Sequence, residues 1–148
     1  MKKNEEYIVT CIDDTDLNSG VVKIDDMVVF VPNLLIGEKA KIKIVKVNKK
    51  YAFGIIIELL KPSINRQELT CEVAKTCGGC QLQHMSYAYQ LDYKYKHVKK
   101  LFDDIEVKPI LGMDNPWYYR NKAQFPVKIK DGKVQMGFYR QHSNDVVT

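Results

Sequence analysis

Three cysteines at short spacing are the residues most able to do chemistry. Cys71, Cys77 and Cys80 form the pattern C-x5-C-G-G-C. Thiolates at this spacing, with two glycines that let the backbone fold round a bound centre, suit an iron–sulfur cluster or zinc, and either takes four protein ligands in a closed site. His84 would extend the pattern to C-x5-C-x2-C-x3-H and complete a Cys3His zinc set. Cys11, sixty residues upstream in a predicted strand, reads as a small buried apolar residue. A disulfide framework is disfavoured, because the clustered thiols are odd in number and nothing points to an oxidising compartment.

A second chemistry is carried by cations mixed with planar groups. Lys41, Lys43, Lys46, Lys49 and Lys50 are followed directly by Tyr51 and Phe53. Basic grooves with stacking platforms are what single-stranded RNA requires, and small barrels use them. The plainer alternative makes Tyr51 and Phe53 core residues. Arg120, Asn121, Lys122 and Gln124 put a guanidinium, two amides and an ammonium within five residues. In a strand, Arg120, Lys122 and Gln124 would share a face able to contact bases or phosphates; the alternative is a solvated edge strand.

Charge is sorted along the chain. The 148 residues carry a net charge of +5, with 11 basic and 10 acidic groups in residues 1–70 and 12 and 8 in residues 71–148. Six lysines and no acid fall within residues 39–50, whereas five aspartates and one lysine fall within residues 13–26. The composition, 45% apolar and 28% charged, is that of an ordinary soluble domain. No apolar run approaches the roughly 18 residues of a membrane helix. MKKNEEYIV is followed by neither a long apolar core nor a cleavage site, so no signal peptide is expected.

The elements that must position these residues are mainly β with one helix, an α+β chain. Tyr7–Ile12, Val21–Ile24, Met27–Val31, Lys39–Val47 and Ala52–Leu60 are predicted strands, separated by turn residues such as Asp13-Asp14, Asn18-Ser19-Gly20, Asp25-Asp26 and Asn48. Five short strands in this length imply a small OB-like barrel, which also removes exposed edges. Ala40, Ile42 and Ile44 alternate with lysines, and Lys46 then falls on the apolar face, so a bulge is expected near Val45. Residues 63–70 are polar and aperiodic and read as a linker between a barrel, residues 1–62, and a second domain, residues 71–148. Ser86 is placed to cap a helix running to about Phe102, with Leu91, Tyr95, Val98 and Phe102 on one apolar face. Lys94, Lys96, His97, Lys99 and Lys100 fill much of the rest, as a solvated face or an RNA contact. Asp131-Gly132, between Gln124–Lys130 and Lys133–Tyr139, is a type I′ hairpin signal.

Several of these segments resemble one family. Cys71-x5-Cys77-Gly78-Gly79-Cys80-Gln81-Leu82-Gln83-His84, with Tyr87, Gln90 and Leu91, is similar to the iron–sulfur segment of the bacterial 23S rRNA (uracil-5-)-methyltransferases. Trp117-Tyr118-Tyr119-Arg120-Asn121-Lys122-Ala123-Gln124-Phe125-Pro126-Val127 resembles that family's Y-R-N-K-A-Q segment. Gly137-Phe138-Tyr139-Arg140 with Ser143 also resembles it, and Gly20-Val21-Val22, Val29-Phe30-Val31-Pro32 and Gly37-Glu38 resemble its N-terminal TRAM domain. The resemblance implies a TRAM barrel, a central domain with a 4Fe-4S cluster held through Cys71, Cys77 and Cys80, and a Rossmann-like domain that binds S-adenosylmethionine. It implies methylation of carbon 5 of a uridine after a catalytic cysteine adds to carbon 6. The expected partner is 23S ribosomal RNA, and the expected protein is cytoplasmic and monomeric, with no membrane role. No G-x-G-type cofactor loop or catalytic-cysteine motif is present, so the chain resembles an N-terminal fragment that should be inactive alone. The family's fourth cluster cysteine lies just past a segment like Gly137–Thr148. The competing expectation is a zinc-stabilised Cys3His module with no RNA role.

Overall fold

A computed structural model describes all residues, Met1–Thr148. The chain divides into two compact units, Met1–Arg66 and Gln67–Thr148. The boundary falls inside the stretch read as a linker, and residues 63–66 of that stretch are bonded into the first unit, as described below.

The first unit is one curled sheet. Its strands are β1 (Glu6–Thr10), β2 (Asp13–Asp14), β3 (Ser19–Ile24), β4 (Met27–Pro32), β5 (Lys39–Val47) and β6 (Tyr51–Lys61). Their order is β1-β5-β6-β4-β3-β2, antiparallel except for the parallel β4–β6 pair. Asp13-Asp14, expected as a turn, instead pairs with Val21 and Gly20. β1 and β2 are therefore successive halves of one bent segment. The first half pairs with β5 at one edge and the second with β3 at the other. The Ile12 N–H donates to the Val21 carbonyl at 2.9 Å across the bend. That segment joins the two ends of the sheet and gives the barrel expected from five strands.

Alternation fills the interior. Ala40, Ile42 and Ile44 of β5 point inward with Val22 and Ile24 of β3, Val29 and Val31 of β4, and Ala52 of β6. Each fully buried Val or Ile contributes about 1.5–3 kcal/mol by leaving water, enough for this small core to hold the sheet. The register of β5 against β6 shifts between Ile44 and Lys46, at the place where the pattern breaks, and at two earlier points. These irregularities bend the longest strand pair round the core. At Gly20 a Cβ would lie 2.5 Å from the Leu34 carbonyl oxygen and 2.7 Å from Cys11 Sγ. The sharp closure beside β1 and β2 therefore depends on that residue having no side chain.

The second unit is less regular. Ser86 caps α1 (Tyr87–Lys99), its side chain accepting the Tyr89 N–H at 3.4 Å. The helix ends three residues before Phe102. The expected apolar face is corrected too: Tyr93 is the buried helix residue, while Val98 and Phe102 are exposed. Tyr93 stacks edge-on against His97, one turn on, with ring centroids 4.5 Å apart. Of the expected face, Leu91 and Tyr95 are half-buried, and Tyr93 with His97 widens the inward side beyond it. The hairpin β7 (Val127–Lys130) and β8 (Lys133–Met136) turns through Asp131 and Gly132, whose φ values of 52° and 72° are those a type I′ turn needs. Gly137 ends β8 early. β9 (Phe138–Tyr139) pairs instead with β10 (Val146–Val147). Trp117–Pro126 forms no strand.

Candidate nucleic-acid interface

Glu38 fixes the loop beside the barrel. Its side chain is fully buried and accepts hydrogen bonds from the Leu35 N–H at 2.9 Å, the Ser63 N–H at 3.0 Å, Arg66 Nε at 2.6 Å and Arg66 Nη2 at 2.7 Å. The same Arg66 Nη2 donates to the Asn33 carbonyl at 2.6 Å. Burial pushes the Glu38 pKa up, but the hydrogen bonds and charge of Arg66, with the two backbone donors, outweigh it and hold the carboxyl below its ordinary range. From sequence this residue stood out only as part of a two-residue TRAM likeness; its half-buried partner, 28 residues away, gave no local signal.

The outer face of the barrel gathers aromatic rings and lysines. Val21, Phe30, Phe53 and Lys46 form one cross-strand row over β3, β4, β6 and β5. Tyr51 lies beside it, in register with Val28. The rings of Phe30, Tyr51 and Phe53 contact one another pairwise at centroid distances of 5.5–5.9 Å. None is in the core: Phe30 and Phe53 are half-buried and Tyr51 is 39% exposed. Tyr51 and Phe53 are therefore not core residues. Phe30 was missed as a surface residue, because only the non-local parallel pairing of β4 with β6 brings it to this face.

The five barrel lysines are not equivalent. Lys41 and Lys43 alternate outward on β5, but Lys41 is bonded to Glu6 at 2.7 Å. That hydrogen bond and the attendant charge raise the Lys41 pKa and lower that of Glu6. Lys46 sits beyond the bulge next to Phe53. Lys49 and Lys50 are exposed in the turn that leads into Tyr51. Lys46, Lys49 and Lys50 therefore border the aromatic patch with no carboxylate partner, while Lys41 is already engaged. Such a surface offers π-faces for unpaired bases and cations for phosphates.

In the second unit, Cys71, Cys77 and Cys80 are free thiols, and the structure gathers no group of three or more Cys, His, Asp or Glu side chains able to hold a metal. The two glycines serve packing here. The Gly78 N–H donates to the Tyr139 carbonyl at 2.8 Å, and a Cβ on Gly79 would sit 3.3 Å from the Phe138 ring. Cys77 bridges Arg140 in antiparallel fashion. Its Sγ accepts the Gly79 N–H at 3.3 Å. His84 is buried, its carbonyl taking the Gln67 N–H at 2.9 Å. Cys11 is buried in the barrel, and burial pushes its thiol pKa up to about 11, so it is an inert apolar residue as expected. As folded here, the three thiols do not form one donor set.

Arg120, Asn121, Lys122 and Gln124 do not form the expected strand face. All four are exposed in irregular backbone after Tyr118, whose φ is 57°. Arg120 turns back alone: Nη2 donates to the Gly79 carbonyl at 2.9 Å, and the guanidinium lies over the Phe138 ring at 5.4 Å. The pattern of alternating polar residues was real, but no neighbouring strand is present to pair it.

Residues 3–57 match the TRAM domain family. The chain is also similar over 99% of its length to proteins named "Uncharacterized RNA methyltransferase". These include proteins of Oceanobacillus iheyensis (47% identical), Clostridium tetani (41%) and Halalkalibacterium halodurans (43%). It spans 33% of the length of each of these relatives. Among solved structures, a conserved protein of Methanococcus maripaludis aligns with 38% of this chain and 80% of its own, at 36% identity and a TM-score of 0.37. The first unit is thus similar to the TRAM domain over those residues. The chain as a whole is related to proteins named RNA methyltransferases. No helix is long and apolar enough to cross a membrane.

Proposed function

We propose that this chain is the RNA-recognising part of a cytoplasmic, S-adenosylmethionine-dependent methyltransferase that forms 5-methyluridine in 23S ribosomal RNA. The observation that carries the RNA reading is the barrel face on which Phe30, Tyr51 and Phe53 touch one another beside Lys46, Lys49 and Lys50. The uridine chemistry rests on the likeness of the C-G-G-C-Q-L-Q-H and Y-R-N-K-A-Q segments. In this reading the rings stack on unpaired bases and the lysines neutralise the phosphates between them.

The test is fluorescence anisotropy with single-stranded RNA of about eight nucleotides, within the span of an OB-type site. Affinity should fall log-linearly over about 50–200 mM salt. Tyr51→Ala with Phe53→Ala should weaken binding by about 1–3 kcal/mol for each base unstacked. Absence of binding at the lowest salt would overturn the reading.

A further inference from the structure

The second unit contains a cavity of about 660 Å³, lined by residues of that unit alone. This is within the ~300–1,000 Å³ range of small-ligand sites. Beside Gly78, Gly79 and Cys80 of the cysteine motif, three further kinds of group meet in it. Trp117, Tyr119, Phe125 and Phe138 supply aromatic surface; Gln83 and Gln90 supply amides; Lys94 and Arg120 supply cations. No Asp or Glu lines it. A cationic ligand would therefore meet only like charge, whereas an anionic one would be attracted.

The walls are braced from behind. The Phe125 and Phe138 rings pack at 5.0 Å, and Arg120 is held over Phe138 by its bond to the Gly79 carbonyl. Gln90 is fixed by donating Nε2 to the Met85 carbonyl at 3.0 Å, and Gln83 by its own carbonyl, which takes Gln67 Nε2 at 2.8 Å. Trp117 remains 41% exposed and Tyr119 63% exposed. The Gln83 Oε1 is buried and has no hydrogen-bond partner. A buried acceptor left unmet costs free energy that a ligand N–H would recover. The terminal amide torsion of glutamine is soft, so Oε1 reaches a donor in the cavity by rotation.

We propose that this cavity receives one unpaired nucleotide of a bound RNA strand. The base stacks against the Trp117 and Tyr119 side, an N–H on its edge donates to Gln83 Oε1, and its phosphate faces Lys94 and Arg120. Stacking surface, edge-reading amides and phosphate-binding cations are the combination by which proteins hold splayed-out bases. The inference rests on the RNA-binding reading, and adds a second contact on a surface distinct from the barrel patch.

Trp117 is the only tryptophan in the chain and reports on the cavity directly. The full chain is titrated with an unpaired oligouridine, an unpaired oligoadenosine and an abasic strand of equal length and charge. Tryptophan emission and anisotropy are read together. The expected result is saturable quenching of Trp117 by the base-bearing strands and none by the abasic one. Gln83→Leu should weaken the quenching titration about ten-fold. It should leave the unliganded protein no less stable, because it removes an unsatisfied acceptor; a purely structural glutamine would lower stability instead. Tyr119→Ala, at an exposed position, provides a second variant that should shift the same titration. Binding by anisotropy with unchanged Trp117 emission, or equal quenching by the abasic strand, would overturn the cavity assignment while leaving the barrel reading intact. No binding at all would remove both.

Discussion

Removing the Glu38 side chain tests whether the buried pair holds the barrel together. In Glu38→Ala, four hydrogen bonds are lost: two from backbone N–H groups and two from Arg66. Arg66, 20% exposed at its side chain, is left with only the Asn33 carbonyl as acceptor. Breaking a buried pair in this way costs about 3–5 kcal/mol. A unit of this size has roughly 3–10 kcal/mol of total stability, so the variant should be close to unfolding. Native-state hydrogen exchange at the Ile44 amide, which donates to the Glu5 carbonyl at 2.9 Å, reads the barrel separately from the second unit. Its protection should drop by about two to four orders of magnitude. Replacing both partners, Glu38→Leu with Arg66→Met, should cost less than either single change, because neither charge is then stranded. The pH dependence has a fixed sign. Glu38 is depressed in the folded state, so its contribution is complete above its ordinary value of 4.5 and is lost as pH falls through the lower folded value. Glu38→Gln should abolish that acid-sensitive component. Loss of less than ten-fold protection in Glu38→Ala would refute the reasoning.

Three further outcomes are expected. Lys46→Ala, Lys49→Ala and Lys50→Ala combined should reduce the salt slope of RNA binding by up to about 2, at about 0.7 per single-strand phosphate contact, whereas Lys41→Ala, already paired with Glu6, should change it much less; anisotropy over a salt series measures both. Anaerobic reconstitution with iron and sulfide should give fewer than the roughly four irons per chain of a cubane, because Cys71, Cys77 and Cys80 are not gathered, and iron and sulfide analysis with an absorption spectrum checks this. The 148-residue chain should transfer no tritiated methyl group from S-adenosylmethionine to rRNA, and incorporation above a no-protein blank would contradict that.

Local patterns were legible where local physics decides. The alternation in Lys39–Val47 specified both the face and the bulge, because one extra residue must move a lysine out of the core. Ser86 and Asp131-Gly132 were readable because capping and positive φ are properties of a few adjacent residues. What failed depended on partners distant in sequence. Phe30 reaches the surface patch through a parallel pairing, and Glu38 is explained only by Arg66. The Arg120–Gln124 pattern lacked a neighbouring strand, and the helix buried Tyr93 more deeply than Leu91, Tyr95 or Val98 of the expected face. For the cysteines, spacing alone specified a type of chemistry without bringing the sulfur atoms together.

The bent segment that joins both ends of the barrel sheet has a kinetic consequence. Its first half is synthesised before its partners on β5, Lys39 to Lys43, which follow roughly thirty residues later. The parallel β4–β6 pairing requires Tyr51 to Phe53 as well. The β2–β3, β3–β4 and β5–β6 pairs can form from neighbouring residues, whereas the pairing of β1 with β5 and of β4 with β6 cannot. Closure is thus a non-local event, of the kind that folds in milliseconds to seconds rather than microseconds. While the chain emerges at roughly 5–20 residues per second, Tyr7–Thr10 waits for several seconds as an unpaired edge. Lys2, Lys3, Glu5 and Glu6, immediately before it, supply the charges that keep such an edge from pairing with another nascent chain.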